Sequence, residues 1–418
     1  MHFTKLTYSF YSDKINLEVI NMIERPIYIN QLISFKDKDL IKVITGIRRC
    51  GKSTLFDLYC DYLMKNGVDK KQIIRINLED SDYSFITNYQ ELNDYVKSKL
   101  IDDKMNYVFL DEVQNIDKFE KACDSLYIKK NVDLYITGSN AYLLSGELAT
   151  LLSGRYVEIK MLPLSFKEYI SFVGESDIQK KYIDYITNSS FPYALKLNTR
   201  QEIRSYLEGI YNTIVIKDVV TRKNIADVSQ LESIIKFMFD NVGSLCSSTK
   251  IANTMTSNGR NISVPTVESH LSSLVDSFIL HRVSRYDVKG KQYLASGVKY
   301  YLTDIGLRYY LLGSKKADEG HILENIVYLE LLRRGYEVYI GKVDNTEVDF
   351  IAINEKGEEY YQVSLSVFDE NTLKRELHSL ECINDHNPKF LLTMDYTPYT
   401  SHNGIKQINV FDWLLGKE

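Results

Sequence analysis

No stretch of this sequence reaches the ~18–20 uninterrupted apolar residues of a membrane span, and the N-terminal MHFTKLTYSFYSDK lacks the apolar run of a secretory signal. The five cysteines, Cys50, Cys60, Cys123, Cys246 and Cys382, form no CxxC pair and match no zinc-site spacing. An odd count without a leader argues against a disulfide framework and for a reducing compartment, so a cytoplasmic protein without membrane contact is the expectation. Internal repeats and low-complexity tracts are absent, and tryptophan occurs once. Positive charge is in deficit: 51 Lys and Arg stand against 56 Asp and Glu, a formal net charge of −5. The chain is no polycation, and any nucleic-acid contact must come from a local basic face.

What is present is ordinary for a globular chain, with 44% apolar and 26% charged residues. A single core rarely grows past ~250–300 residues, so 418 residues predict two or three domains. After a lead-in over 1–25, apolar strands at Leu40–Thr45, Gln72–Asn77, Tyr107–Leu110 and Val132–Thr137 alternate with helical stretches such as Asn88–Leu100 and Lys118–Lys130. That alternation predicts an α/β domain over 26–166 with a parallel sheet covered on both faces. A helical segment follows over 167–228. In 229–312 three helices (Gln230–Asn241, Ser248–Thr256, Pro265–Ser277) precede two strands (Ile279–Tyr286, Gln292–Tyr301), the order of a winged helix. Residues 320–418 open with a helix over Ile322–Arg334. Strands follow at Glu337–Gly341, Glu347–Asn354 and Glu359–Ser366, then a helix over Glu370–Cys382 and strands at Lys389–Met394 and Ile405–Phe411.

The chemistry is concentrated after the first strand. Gly46-Ile47-Arg48-Arg49-Cys50-Gly51-Lys52-Ser53 satisfies GxxxxGK(S/T) at every fixed position, between an apolar strand and a helix. The glycines let the backbone curl so that its amides, with that of Thr54, face a phosphate, and the next helix points its N-terminus at the anion. Lys52 bridges β- and γ-phosphates, and the Ser53 hydroxyl ligates Mg²⁺. ATP and Mg²⁺ are the expected ligands. Arg48 and Arg49 read either as a solvated basic tip or as contacts to a phosphate or a neighbouring subunit. Cys50 reads as incidental, although its oxidation would obstruct the loop.

The strand Tyr107–Leu110 ends in Asp111 and Glu112. Asp111 suits the Mg²⁺ shell, and Glu112 suits alignment of an attacking water. Gln114 and Asn115 follow as reporters of nucleotide state. Ser139 and Asn140 end the strand after that, where parallel sheets gather ligands. They read as γ-phosphate sensors or as the cap of a helix over 141–152. Arg155 has two readings: an arginine finger or sensor, acting in cis or from a neighbouring subunit of a homo-oligomer, or a surface arginine in an ion pair.

GIRRCGKSTL, YVFLDEVQ, YITGSNAYLLSGELATLLSGR and PLSFKEY together resemble the prokaryotic AAA-type ATPases with a C-terminal domain of unknown function. Tyr301-Leu302-Thr303-Asp304-Ile305-Gly306-Leu307, Gly320 to Val327 and Glu347-Val348-Asp349-Phe350 extend the resemblance over nearly the whole chain. It implies an ATPase core, a winged-helix segment and a tail similar to restriction endonucleases, and no particular substrate. In such nucleases a helical acid, a strand Asp and an acid-x-Lys surround a divalent metal. Here Glu324 and Asp349 fill the first two places, but Gln362 and Ser364 stand where the acid and lysine belong. A degenerate, non-cleaving site is the expectation.

Residues 245–300 carry seven Lys and Arg against three Asp and Glu. Lys250, Arg260, Arg282, Arg285, Lys289 and Lys291 are candidate DNA contacts near the recognition helix and wing. Thr266, Glu268, Ser269, His270 and Ser273 are candidate exposed groups of that helix, and the alternative is a winged helix used for protein packing. The favoured reading is a nucleotide-driven switch or motor acting on DNA. Its rivals are a signalling ATPase with a protein partner, in defence or toxin regulation, and an ATP-regulated nuclease.

Overall fold

The computed structural model describes residues 23–139, 152, 154–221, 225, 227–313, 319–398 and 400–418. Asn140, nearly all of the lead-in and most of the helix expected over 141–152 lie outside these residues. The described chain forms two compact units. The first runs to Thr45 and takes in Gly51–Gly138 and the segment ending at Met161; the second holds Gly46–Cys50, Ser139 and Leu162–Glu418.

In the first unit, helix α1 (Pro26–Ser34) opens with proline in its first turn, where a missing amide costs nothing. Strands β1 (Ile41–Thr45), β2 (Ile73–Asn77), β3 (Asn106–Asp111), β4 (Val132–Gly138) and β5 (Tyr156–Lys160) form one parallel sheet in the order β2-β3-β4-β1-β5. Helices α2 (Lys52–Lys65), α3 (Tyr89–Lys99) and α4 (Phe119–Tyr127) connect them. β1 and β3 are buried along their whole length, as parallel strands covered on both faces must be. Phe109 stacks on Tyr135 with centroids 4.7 Å apart, and Phe56 meets Phe109 edge-on at 5.0 Å. β5, not anticipated from the sequence, is an edge strand whose polar Glu158 and Lys160 dilute its apolar signal. Lys42 is fully buried on β1, and Asp133 pairs with it while also accepting from Tyr135 at 2.8 Å and the Asp37 amide at 2.9 Å.

The second unit begins with α5 (Phe166–Val173), opened by a capping box: Ser165 Oγ accepts from the Glu168 amide at 3.0 Å, and Glu168 accepts from the Ser165 amide at 2.8 Å. α6 (Ile178–Asn188) and α7 (Arg200–Thr213) follow, and α7 runs into a π-helix over Ile214–Thr221. Helices α8 (Val228–Asp240), α9 (Ser248–Ser257) and α10 (Val264–Asp276) then lead to an antiparallel pair, β6 (Leu280–Asp287) and β7 (Gln292–Leu302). Beyond α11 (Ile305–Leu312) come α12 (Glu319–Arg333), β8 (Glu337–Val343), β9 (Thr346–Asn354), β10 (Gly357–Ser364), α13 (Glu370–Glu381), β11 (Lys389–Thr393), β12 (Thr400–His402), β13 (Ile405–Asn409) and α14 (Val410–Leu415).

β6 and β7 join a mixed eight-stranded sheet in the order β12-β13-β11-β10-β9-β8-β6-β7. β6 pairs in parallel with β8, Arg285 to Asp287 against Ile340 to Lys342. One sheet therefore spans the segments expected as separate domains over 229–312 and 320–418, and the hairpin is a built-in edge of that sheet. α12 is buried around most of its circumference, the mark of a central helix. Its Asn325 caps the end of β7 twice, accepting from the Leu302 amide at 2.7 Å and donating to the Leu302 carbonyl at 2.8 Å. The strand expected over Ile405–Phe411 stops at Asn409, whose side chain accepts from the Phe411 amide at 2.9 Å and starts α14. That helix buries the one tryptophan, Trp413, beneath Arg334.

Two residues of the Tyr301–Leu307 motif hold this unit together. Asp304, buried at the start of α11, accepts from Ser189 Oγ at 3.0 Å, from the Ser190 amide and hydroxyl at 2.7 Å each, and from the Leu307 amide at 2.9 Å. Gly306 lets the two backbones meet, because a Cβ there would lie 2.5 Å from Ser189 Cα. Backbone cannot yield as a flexible side chain does. Gly306→Ala should therefore lower the unfolding free energy by about 1–3 kcal/mol, read as an earlier urea midpoint, while Gly320→Ala, in a helix with open space around it, should not lower the midpoint.

Candidate nucleotide-binding site

The order of the first sheet sets β4 between β1 and β3, so the segments following all three strands emerge at one edge. After Thr45 the loop turns through Gly46 (φ 150°), Arg49 (φ 67°) and Gly51 (φ 105°). Gly51 in the left-handed region delivers the chain into α2, whose N-terminus carries no side-chain cap. Uncapped first-turn amides are what an anion-receiving helix end needs. Lys52, the first residue of α2, is only 4% exposed, and its Nζ lies 3.6 Å from Glu112 Oε1.

The two acids are held by their neighbours. Thr137 Oγ1, at the end of β4, donates to Asp111 and accepts from the Glu112 amide at 2.9 Å. Glu112 sits in the left-handed region at φ 55°, a strained conformation for a non-glycine residue and one that concentrates at functional sites. Gln114 Nε2 donates to Glu112 Oε2, and Asn115 closes the short turn through its amide to the Glu112 carbonyl at 3.2 Å. Asp111 is fully buried, yet its Oδ2 has no hydrogen-bond partner. That orphaned oxygen suits a hard divalent cation, and the Ser53 side chain is exposed. Ser139 is buried at the end of β4.

Sequence reasoning missed Arg75 and Thr137. Arg75, on β2, donates to the Ser53 carbonyl at 2.9 Å, contacts Asp57 and stands 3.8 Å from Asp111 Oδ2. Burial lowers its pKa, and Asp111 acts in the opposite direction. The register pairing Asn77 with Asp111 brings β2 to the site, and no local motif announces that pairing. Arg155 is placed elsewhere. It precedes β5 at the edge where β1 begins, its carbonyl accepting from the Ile41 amide at 2.8 Å, whereas the loop follows the other end of β1. Its guanidinium pairs with Asp124 at 2.6 Å and lies over Tyr127. Within its own chain the Arg155 side chain is thus engaged in an ion pair, the surface alternative of the two readings.

Family models match an AAA domain over residues 38–170 and a domain of unknown function, DUF8612, over 179–318. An uncharacterized protein of Haemophilus influenzae is 41% identical over 399 residues, covering 94% of this chain and 99% of its own length. Another, of Methanocaldococcus jannaschii, is 30% identical over 389 residues, covering 88% and 84%. The chain belongs to the family of these two proteins. Its AAA-type P-loop domain is followed by a domain of unknown function. Among solved structures, a Walker-type ATPase of Pyrococcus abyssi aligns at TM-score 0.46 and 14% identity, over 69% of this chain and 96% of its own. The Aeropyrum pernix ORC1 protein, in complex with DNA, aligns at 0.32 and 13%, over 69% and 92%. Likenesses of this strength carry no functional argument. Among the described residues of this AAA-type protein, no helix is long and apolar enough to cross a membrane.

In the C-terminal sheet the nuclease-like pattern is brought together in part. Asp349 on β9 faces Gln362 on β10: Gln362 Oε1 accepts from the Asp349 amide at 3.3 Å, and Asp349 Oδ2 accepts from the Val363 amide at 2.8 Å. Burial, reinforced by the charge of Glu324, pushes the Asp349 carboxyl well above the usual carboxylate range. Ser364 bonds instead to the Ser366 carbonyl at 3.2 Å. The missed members are Lys299, Glu347 and Glu376. Lys299 Nζ lies 2.9 Å from Glu347 and 3.4 Å from Glu324, and Glu376 accepts from Gln362 Nε2 at 2.7 Å. Burial alone would favour the neutral amine, but the charges of Glu324, Asp349 and Glu347 override it and raise the Lys299 pKa. Among the described residues, no group of three or more His, Cys, Asp or Glu is arranged to hold a metal ion. Glu347, two residues before Asp349 on one strand, shares its face, a signal present in the motif; Lys299 comes from a strand assigned to another domain.

The basic residues of 245–300 divide as well. Lys250, Arg282 and Lys291 are exposed. Arg260 bonds to the Ser229 carbonyl at 2.8 Å and to Ser233, Lys289 pairs with Asp344 at 2.5 Å, and the half-buried Arg285 packs over Gly297. On α10, Glu268 and Ser269 are exposed and Thr266 is half-buried, but His270 and Ser273, expected as exposed, are buried at 5% and 2%. Their positions fall on the stripe of Val267, Leu271 and Leu274 that packs inward. His281 bonds to Thr303 at 2.8 Å and is a packing residue.

Two outcomes follow. Lys299→Met removes a buried cation from two half-buried carboxylates and should lower stability by about 1–3 kcal/mol, measured as a shift in urea midpoint. Arg155→Ala should leave the ATP dissociation constant of dilute protein within about twofold of wild type, because that guanidinium lies off the loop edge; titration calorimetry reads it, and a tenfold loss would contradict the placement.

Proposed function

We propose that this chain binds ATP with Mg²⁺ at Gly46–Ser53 and hydrolyses it, and that hydrolysis drives a switch or motor acting on DNA. The observation that carries the ATPase reading is the convergence of Lys52, Asp111 and Glu112: a buried ammonium 3.6 Å from a strained glutamate, beside a carboxylate with an orphaned oxygen. Lys52 and the loop amides offset phosphate charge, Glu112 orients and deprotonates the attacking water, and Gln114 and Thr137 hold the acids in place. Ser53 and Asp111 would hold Mg²⁺, which supplies charge neutralisation at the phosphates when bound.

The DNA reading is supported by three helices ahead of a hairpin and by exposed Lys250, Arg282 and Lys291. A protein-partner reading is favoured by the engagement of Arg260 and Lys289 and by Glu268 on the open face of α10. The C-terminal cluster we read as non-cleaving, since Lys299 sits among its carboxylates and Ser364 points elsewhere.

Steady-state ATP hydrolysis with Mg²⁺, with and without duplex DNA, tests this. Lys52→Ala and Glu112→Gln should each reduce turnover by at least about a hundredfold. Stimulation by DNA that declines steeply with salt supports the DNA reading, whereas turnover indifferent to DNA transfers the role to a protein partner. Cutting of linear DNA with Mg²⁺ or Mn²⁺ that is lost in Asp349→Ala would overturn the non-cleaving assignment.

A further inference from the structure

The crest of the phosphate loop, Gly46–Cys50, groups with the second unit, and an ion pair joins it to a helix of that unit. Arg48 Nε donates to Asp218 Oδ2 at 2.7 Å across 170 positions of sequence. The Arg48 side chain is 12% exposed and that of Asp218 1%. Asp218 lies on the π-helix Ile214–Thr221, a rare geometry that concentrates at functional sites. Tyr206 of α7, the helix leading into it, has its pKa raised by burial, with Arg49 acting in the opposite direction.

A guanidinium on the crest of a phosphate loop has two anionic suitors: the buried carboxylate it already holds and the terminal phosphate of a nucleotide. We propose that Asp218 is a specificity-determining residue of the loop, competing with the nucleotide's terminal phosphate for Arg48. ATP, with one more anionic group than ADP at the crest, draws Arg48 from the π-helix; ADP leaves the pair intact. The inference rests on the nucleotide-binding reading above. Because coupling of two binding events is reciprocal, a partner that grips the π-helix changes ATP affinity by the factor that ATP changes its own.

The test measures ATP and ADP dissociation constants, with Mg²⁺, for the full chain as wild type, Asp218→Asn, Arg48→Gln and the double variant. It is joined by hydrogen exchange of residues 214–221 with and without ATP. Asp218→Asn should tighten ATP over ADP by about fivefold or more, the gain should vanish when Arg48→Gln is added, and ATP should speed exchange over 214–221 in wild type. An unchanged ATP-to-ADP ratio in Asp218→Asn, or exchange indifferent to bound ATP, overturns the proposal while leaving nucleotide binding in place. Absence of ATP binding in wild type and variants alike overturns both readings. Should Asp218→Asn fail to fold, the wild-type exchange experiment decides alone.

Discussion

The Thr137 hydroxyl is the constraint on which the candidate site depends. It donates to Asp111 and accepts from the Glu112 amide, so one side chain at the end of β4 orients both acids at the end of β3. Glu112 holds a left-handed conformation there, with its carboxylate 3.6 Å from Lys52 Nζ. The strand order makes this possible. With β4 beside β3, the residue that follows the buried Ile136 is within reach of the acids.

The second unit is organised by buried polar groups as well. Asp304 gathers four donors from the 189–190 turn and the start of α11, Asn325 closes the end of β7, and Lys299 neutralises the acids of α12 and β9. Each lies in a motif, or beside one, that looks functional when read as a string. The structure gives three of those motifs an architectural use: buried polar groups need partners, and the fold is arranged around supplying them. The Lys299 ammonium offsets the charge of Glu324 and Glu347, which burial would otherwise leave uncompensated.

The local elements were legible because their signals are local. GxxxxGK(S/T) after an apolar run, Asp-Glu at a strand end and serine or asparagine caps state their conformation within a few residues, and the strands and helices of both units fall close to where periodicity puts them. β5 was missed because an edge strand alternates polar with apolar residues, and α14 because a capping asparagine interrupts what reads as one strand. His270 and Ser273 were misplaced because a helix face is decided by what packs against it.

The sequence by itself determined that a phosphate loop and an aspartate followed by a glutamate belong to one parallel α/β domain, since chain-local chemistry and spacing specify them. Only the tertiary structure decided that Arg155 stands at the wrong end of β1, that Arg75 and Thr137 serve the acids, that the β6–β7 hairpin belongs to the C-terminal sheet, and that Lys299 and Asp218 find their charges far away in sequence. The physical reason is common to all of these. Strand order, register and the pairing of buried charges are settled by packing between distant segments, and no single segment contains that information.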